Sequence, residues 1–169
     1  MGEYRYLLTR TIDPLLRGER SVLFVMLNPS TADERLDDPT IRRCRSFAER
    51  DRAAVFQVVN LYALRATDPR DLVEAHEAKR DVVGPDNDAT VFRALRAHAA
   101  PWGRIVLAWG AHPFARHRLA RLAELHRDAG APPLWCLGRC ADGSPRHPLF
   151  VKSDQPFESF TIETEVRRG

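Results

Sequence analysis

Four apolar runs in this chain end in, or run into, a polar group able to do chemistry. Asn28 closes "LFVML", Asn60 interrupts "VFQVVNLYAL", Gly110 and His112 follow "IVLAW", and His147 stands in "GSPRHPLF". A carboxamide offers an acceptor and donors in one plane, and an imidazole can donate or accept. Such groups suit a site that binds a polar ligand and steadies charge developing on it. Asn60 is the least comfortable as mere structure, because a polar side chain inside an apolar run costs roughly 1 to 3 kcal/mol unless it finds partners. Plainer uses exist for each: Asn28 before Pro29 can initiate a turn, Asn60 can clamp a loop backbone, and His112 and His147 can be solvated histidines. Cys136 and Cys140 form a C-x3-C pair with His147 downstream, but a thiolate zinc site wants a second pair that Cys44 alone does not supply. No metal and no cofactor are expected.

These groups can act together only if the chain brings them to one place. Ser21 to Met26 reads as an unbroken apolar strand, and Ala53 to Asn60, Ile105 to Trp109 and the shorter Pro133 to Leu137 as three more. Between them lie helices. Asp38 as N-cap and Pro39 as first helical residue open one whose Ile41, Cys44, Phe47 and Ala48 share a face; Asp68 and Pro69 start another. A third follows "GPDND" with Val91, Leu95 and Ala99 aligned, and a fourth carries Leu119, Leu122 and Leu125. Strands apolar on both faces and separated by helices imply a three-layer α/β sandwich around a mainly parallel, four-stranded sheet. The segment "YRYLLTRTI" is expected to add an edge strand or hairpin, and the stretch after Pro156 a peripheral strand or loose end. In an open parallel sheet, ligands bind at the carboxyl ends of the strands, which is where all four polar groups fall.

At 169 residues and 44% hydrophobic content, the chain fits a single domain, 1–169, with a core large enough to fold without disulfides or metal. Its net charge of +3 comes almost wholly from arginine, Lys79 and Lys152 being the only lysines. That is a mild lean toward anionic partners. Three cysteines and no signal peptide point to reduced thiols and a cytoplasmic protein. No run approaches the 18 apolar residues of a membrane span, and nothing in the sequence specifies an oligomeric state.

The stretches "LNPSTAD", "DDPTIRRC", "VVNLYALRATDP", "VGPDND", "AWGAH" and "GSPRHPLF" together resemble the bacterial and phage family known as DUF1643. A more distant resemblance is to the uracil-DNA glycosylase superfamily. "MLNPS" is similar to its first motif, which sets Asn28 on the water-positioning residue and Pro29 beside it. "VFQVVNLYAL" resembles the strand whose asparagine reads uracil, which sets Asn60 on the base-reading position. "IVLAWGAHPFARH", with Gly110, resembles the next strand and turn, and "GSPRHPLF" sets His147 on the histidine that steadies the departing base. The resemblance implies a uracil-DNA-glycosylase-like fold with Asn28 and His147 as catalytic residues, Asn60, Pro29 and Gly110 at the base, and Ser30, Arg42, Arg43, His112 and Arg146 as candidate phosphate contacts.

The chain also departs from that pattern. Met26 replaces a glycine, no tyrosine follows Pro29, Leu149 replaces the serine after His-Pro, and no DNA-intercalating loop is recognisable. Phe47 and Tyr62 are candidates for stacking on the base. The expectation is an N-glycosidase releasing uracil or a modified pyrimidine, from single-stranded or mismatched DNA rather than intact duplex, or from free nucleotide. The alternatives are a non-catalytic reader of modified nucleobases, and a nucleotide-processing enzyme of base-modification pathways in which Arg42, Arg43 and Arg45 hold phosphate.

Overall fold

The structure, a computed structural model, describes residues 2–13, 15, 20–30 and 38–163. Its centre is β2, Arg20–Met26, whose side chains alternate between two cores. Val22, Phe24 and Met26 face one, and Leu23 and Val25 the other. A strand buried on both faces is typical of the centre of a parallel sheet, and β2 has a parallel neighbour on each side: β3, Ala53–Asn60, and β4, Gly103–Leu107. β4 continues to a parallel β5, Leu134–Cys136. Antiparallel edges close the sheet, with β1, Leu8–Thr11, against β3 and β6, Glu158–Phe160, against β5. The order is β1-β3-β2-β4-β5-β6, so the sheet has six strands rather than the four expected. The four legible as apolar runs are its parallel centre; the edges were foreseen only as additions, because they are short and bury one face.

Helices cover both faces. α1, Pro39–Arg50, lies on the Val22, Phe24 and Met26 side with Ile41, Cys44, Phe47 and Ala48 inward. Its start is local chemistry: Asp38 Oδ1 accepts the Ile41 N–H at 2.8 Å, and Pro39 supplies the fixed φ of a first turn. On the other face lie α2, Pro69–Glu77, capped by Asp68, then α3, Asn87–Ala97, and α4, Arg116–Asp128. α3 ends before the aligned set expected of it. His98 takes the cap, its ring bonded to the Ala94 carbonyl at 2.9 Å, and Ala99 is exposed beyond the helix.

The core on the α1 side is tied between β2 and β3 by an aromatic pair. Phe24 and Phe56 meet edge to face at 6.2 Å, both fully buried, and truncating either to alanine would cost about 3 to 5 kcal/mol. Phe47 and Tyr62 serve these cores. Phe47 is 1% exposed under the Arg43 and Arg50 guanidinium groups, and Tyr62 stacks on Phe114 at 4.7 Å while donating to its carbonyl. No helix among the described residues is long and apolar enough to cross a membrane.

Candidate functional site

Because β2 leads to β3 on one side and β4 follows on the other, the chain reverses its direction of winding between β2 and β4. A crevice opens there at the strands' carboxyl ends. It is occupied by a cavity of about 930 Å³ on the α1 side of the sheet. Asn28, Ser30, Asn60, Gly110, His112, Arg146 and His147 all line it. Pro29, Arg42 and Arg43 do not.

Asn60 is 3% exposed and pairs in register with Met26, so its side chain shares the cavity face with Met26 and Val58. Its backbone carbonyl accepts from Asn87 Nδ2 at 3.0 Å, but its side-chain amide has no hydrogen-bond partner among the described residues. The amide is not sealed, since it opens on the cavity. A nearly buried carboxamide left unpaired in this way is placed for a ligand.

Asn28 is oriented differently. Its Nδ2 donates to the Ala66 carbonyl at 2.8 Å and to the Pro29 carbonyl at 3.2 Å. Two carbonyls can be met only by the amide nitrogen, and Oδ1 has no donor among the described residues. Pro29 itself is buried, its carbonyl also taking the Ala66 N–H at 3.0 Å. It shapes the turn and does not reach the cavity.

The two histidines repeat one device. Each precedes a proline that opens a 3-10 turn, Pro113–Ala115 after His112 and Pro148–Phe150 after His147. Each ring accepts a backbone N–H at Nδ1, from Phe114 and from Leu149, both at 3.3 Å. A backbone N–H can only donate, so Nδ1 holds the lone pair and Nε2 carries the proton in the neutral ring. Burial holds the His147 pKa below the ordinary 6.5, and the negative charge of Asp38 offsets this in part. His147 is therefore a neutral Nε2–H donor near pH 7.

Gly110 lets the His147 loop close on the sheet. It adopts φ +78°, its N–H donates to the Pro145 carbonyl at 2.9 Å, and a Cβ there would lie 3.4 Å from His147 Cβ. Arg43 secures the same loop from α1, donating to the carbonyls of Pro148 at 3.3 Å and Val151 at 2.7 Å. Arg42 is exposed on the helix, and Arg45 reaches the Thr11 carbonyl at 3.5 Å. Of the phosphate-contact candidates, then, Ser30, His112 and Arg146 stand at the cavity. Ser30 donates its hydroxyl to Asp38 at 2.7 Å, whereas Arg146 is exposed at the rim.

Sequence reasoning missed several lining residues: Arg5 and Trp109, both buried, Asp38, and the exposed pair Leu149 and Phe150. Asp38 was legible only as a helix cap. Phe150, 78% exposed and 5.7 Å from the His147 ring, is an aromatic group at the cavity, in place of Phe47 and Tyr62; Trp109 also lines it, but its ring packs on Phe160 at 6.2 Å in the opposite core. Leu149 and Phe150 also give the segment after His-Pro an exposed apolar tip that the sequence did not reveal. Cys44 and Cys136 are buried, Cys140 is half-buried at the cavity wall, and all three are free thiols. No cluster of three or more metal-ligating side chains occurs among the described residues.

The family described as "Protein of unknown function (DUF1643)" matches residues 5–149, and the chain belongs to it. No curated protein and no solved structure matches the chain.

Proposed function

We propose that this DUF1643 chain binds a pyrimidine base in the cavity at the β2–β4 switch point and acts as an N-glycosidase, releasing uracil or a modified pyrimidine. The observation that carries this reading is the Asn60 amide, almost wholly buried, without a partner among the described residues and open to the cavity. Nδ2–H of such an amide matches O4 of uracil and Oδ1 matches N3–H, while cytosine presents the reversed pattern and leaves both groups unpaired. The parallel order β3-β2-β4-β5 and the rim positions of Asn28, Asn60, Gly110 and His147 support a uracil-DNA-glycosylase-like fold.

Breaking the glycosidic bond sends its electron pair to the base, so catalysis comes from stabilising the base anion. The neutral His147 Nε2–H is suited to donate to O2 as that charge grows. Asn28 Oδ1 is suited to accept from a water approaching the sugar. A carboxamide orients water but does not deprotonate it, so turnover is slow. Arg146 at the rim is the phosphate contact the geometry supports best, because Arg43 is spent on loop carbonyls. The apolar tip of Leu149 and Phe150 lies at the mouth, where an unstacked base would enter.

The test is release of free base from uracil-containing single-stranded DNA, mismatched duplex, intact duplex and free nucleotide, with cytosine substrates as controls. Release of uracil but not cytosine, lost in Asn60→Asp, is expected. Binding without release would make the protein a reader of bases, and neither binding nor release by folded protein would end the proposal.

A further inference from the structure

Asp38 has an assigned task as the cap of α1, and capping accounts for one of its oxygens, Oδ1 on the Ile41 N–H. The other accepts the Ser30 hydroxyl at 2.7 Å. Neither bond neutralises the carboxylate, and it makes no ion pair with a described residue. Asp38 is also the one carboxylate among the described residues lining the cavity, which it shares with the Asn60 amide and His147. A half-buried carboxylate with no ion-pair partner among the described residues repels phosphate and is complementary to a cation. A ligand that binds with its base on Asn60 therefore keeps any phosphate at the Arg146 side and turns toward Asp38 a part that is neutral or becomes positive.

We propose that Asp38 supplies the negative charge that faces the sugar and stabilises the cation forming at C1′ as the base departs. The inference rests on the glycosidase reading above and adds to it the second half of the charge separation. In the step, the C1′–N1 bond breaks with its electrons going to N1, and the oxygen of water forms the new bond to C1′. The proton that water loses is taken by the released base, so the products are the neutral base and the sugar hemiacetal. Asp38 acts by charge, forming no bond to C1′ and taking no proton from the water. The two polar poles of the cavity are thus divided: donors at His147 and Asn60 for the base, a carboxylate for the sugar.

The experiment compares two abasic-sugar mimics, a hydroxymethyl-pyrrolidinol that is protonated at neutral pH and its uncharged tetrahydrofuran isostere, binding to wild type and to Asp38→Asn in the presence of uracil. Asparagine caps a helix as well as aspartate, so the variant removes charge and keeps the fold; its melting temperature verifies this. Wild type should bind the cation at least tenfold more tightly than the neutral mimic, and Asp38→Asn should erase the difference. Uracil release by Asp38→Asn should fall at least 100-fold in kcat with KM within threefold. Equal binding of the two mimics by wild type, a preference that survives Asp38→Asn, or an unchanged kcat in the folded variant each overturns the proposal. Uracil release without cation preference would sink the Asp38 role and leave the glycosidase reading intact. Cation preference that depends on Asp38, in a protein that releases no base, would support the charge assignment and sink the glycosidase.

Discussion

Asn87 holds Asn60 from behind. Its Nδ2 donates to the carbonyls of Asn60 at 3.0 Å and Leu61 at 3.1 Å, and the residue is wholly buried at the start of α3. Arg118 adds a second donor to the Leu61 carbonyl at 3.1 Å while pairing with Asp88, so α3 and α4 together set the height of the β3 end. Asn87→Ala leaves the Asn60 carbonyl without this bond and the Leu61 carbonyl with one donor fewer. A loss of about 2 to 4 kcal/mol is expected in urea unfolding.

Asn60→Ala should behave in the opposite way. The amide has no protein partner among the described residues, so its removal should change stability by less than about 1 kcal/mol while uracil release or binding falls tenfold or more. Asn60→Asp should fall further, because a carboxylate repels O4 of uracil. A large drop in melting temperature with base preference unchanged would return Asn60 to a structural role.

Gly110→Ala tests the fit between β4 and the His147 loop. A side chain at φ +78° costs about 1 to 2 kcal/mol, and its Cβ presses on that of His147. Stability should fall by that amount and base release by considerably more, since His147 is displaced. Equal losses in Gly110→Ala and in a comparable strained substitution far from the cavity would show that the contact has no functional weight.

The depressed pKa of His147 makes a pH prediction. Burial is its main cause, with Asp38 opposing, so the folded protein releases this proton more readily than the unfolded chain does. Between the folded value and the ordinary 6.5 the unfolded state binds more protons, and stability therefore rises with pH through that window. The contribution is fully present above 6.5 and is lost as pH falls through the folded value. His98, shifted downward by burial, adds in the same direction. Urea unfolding from pH 5 to 8 should show wild type losing stability below 6.5 and His147→Gln losing less. Base release should hold at pH 6.5, because the neutral ring is the active form, and should decline only in more acid solution.

Much of the scaffold was legible because its causes are local. Asp38 and Pro39 start α1 through a side-chain cap and a fixed φ, and Ala53–Asn60 is a strand because its residues are apolar in unbroken sequence. The winding that brings Asn28, Asn60, Gly110, His112 and His147 to one rim followed from alternating strands and helices. The sequence by itself thus determined the parallel centre and which strand ends carry polar groups, since both depend on the order of apolar and polar residues along the chain. Tertiary structure alone decided which polar groups remain available. Arg43 sits two residues from the Ile41 that lines the cavity, yet its guanidinium is consumed by the carbonyls of Pro148 and Val151, more than a hundred residues away. Asp38 satisfied a local rule as a cap and only in three dimensions proved to face His147's cavity. Asn87, in the unremarkable "GPDND", became the support of the β3 end. A hydrogen bond is short and directional, so which donor meets which acceptor is settled by the packing of distant segments, and no spacing along the chain encodes it.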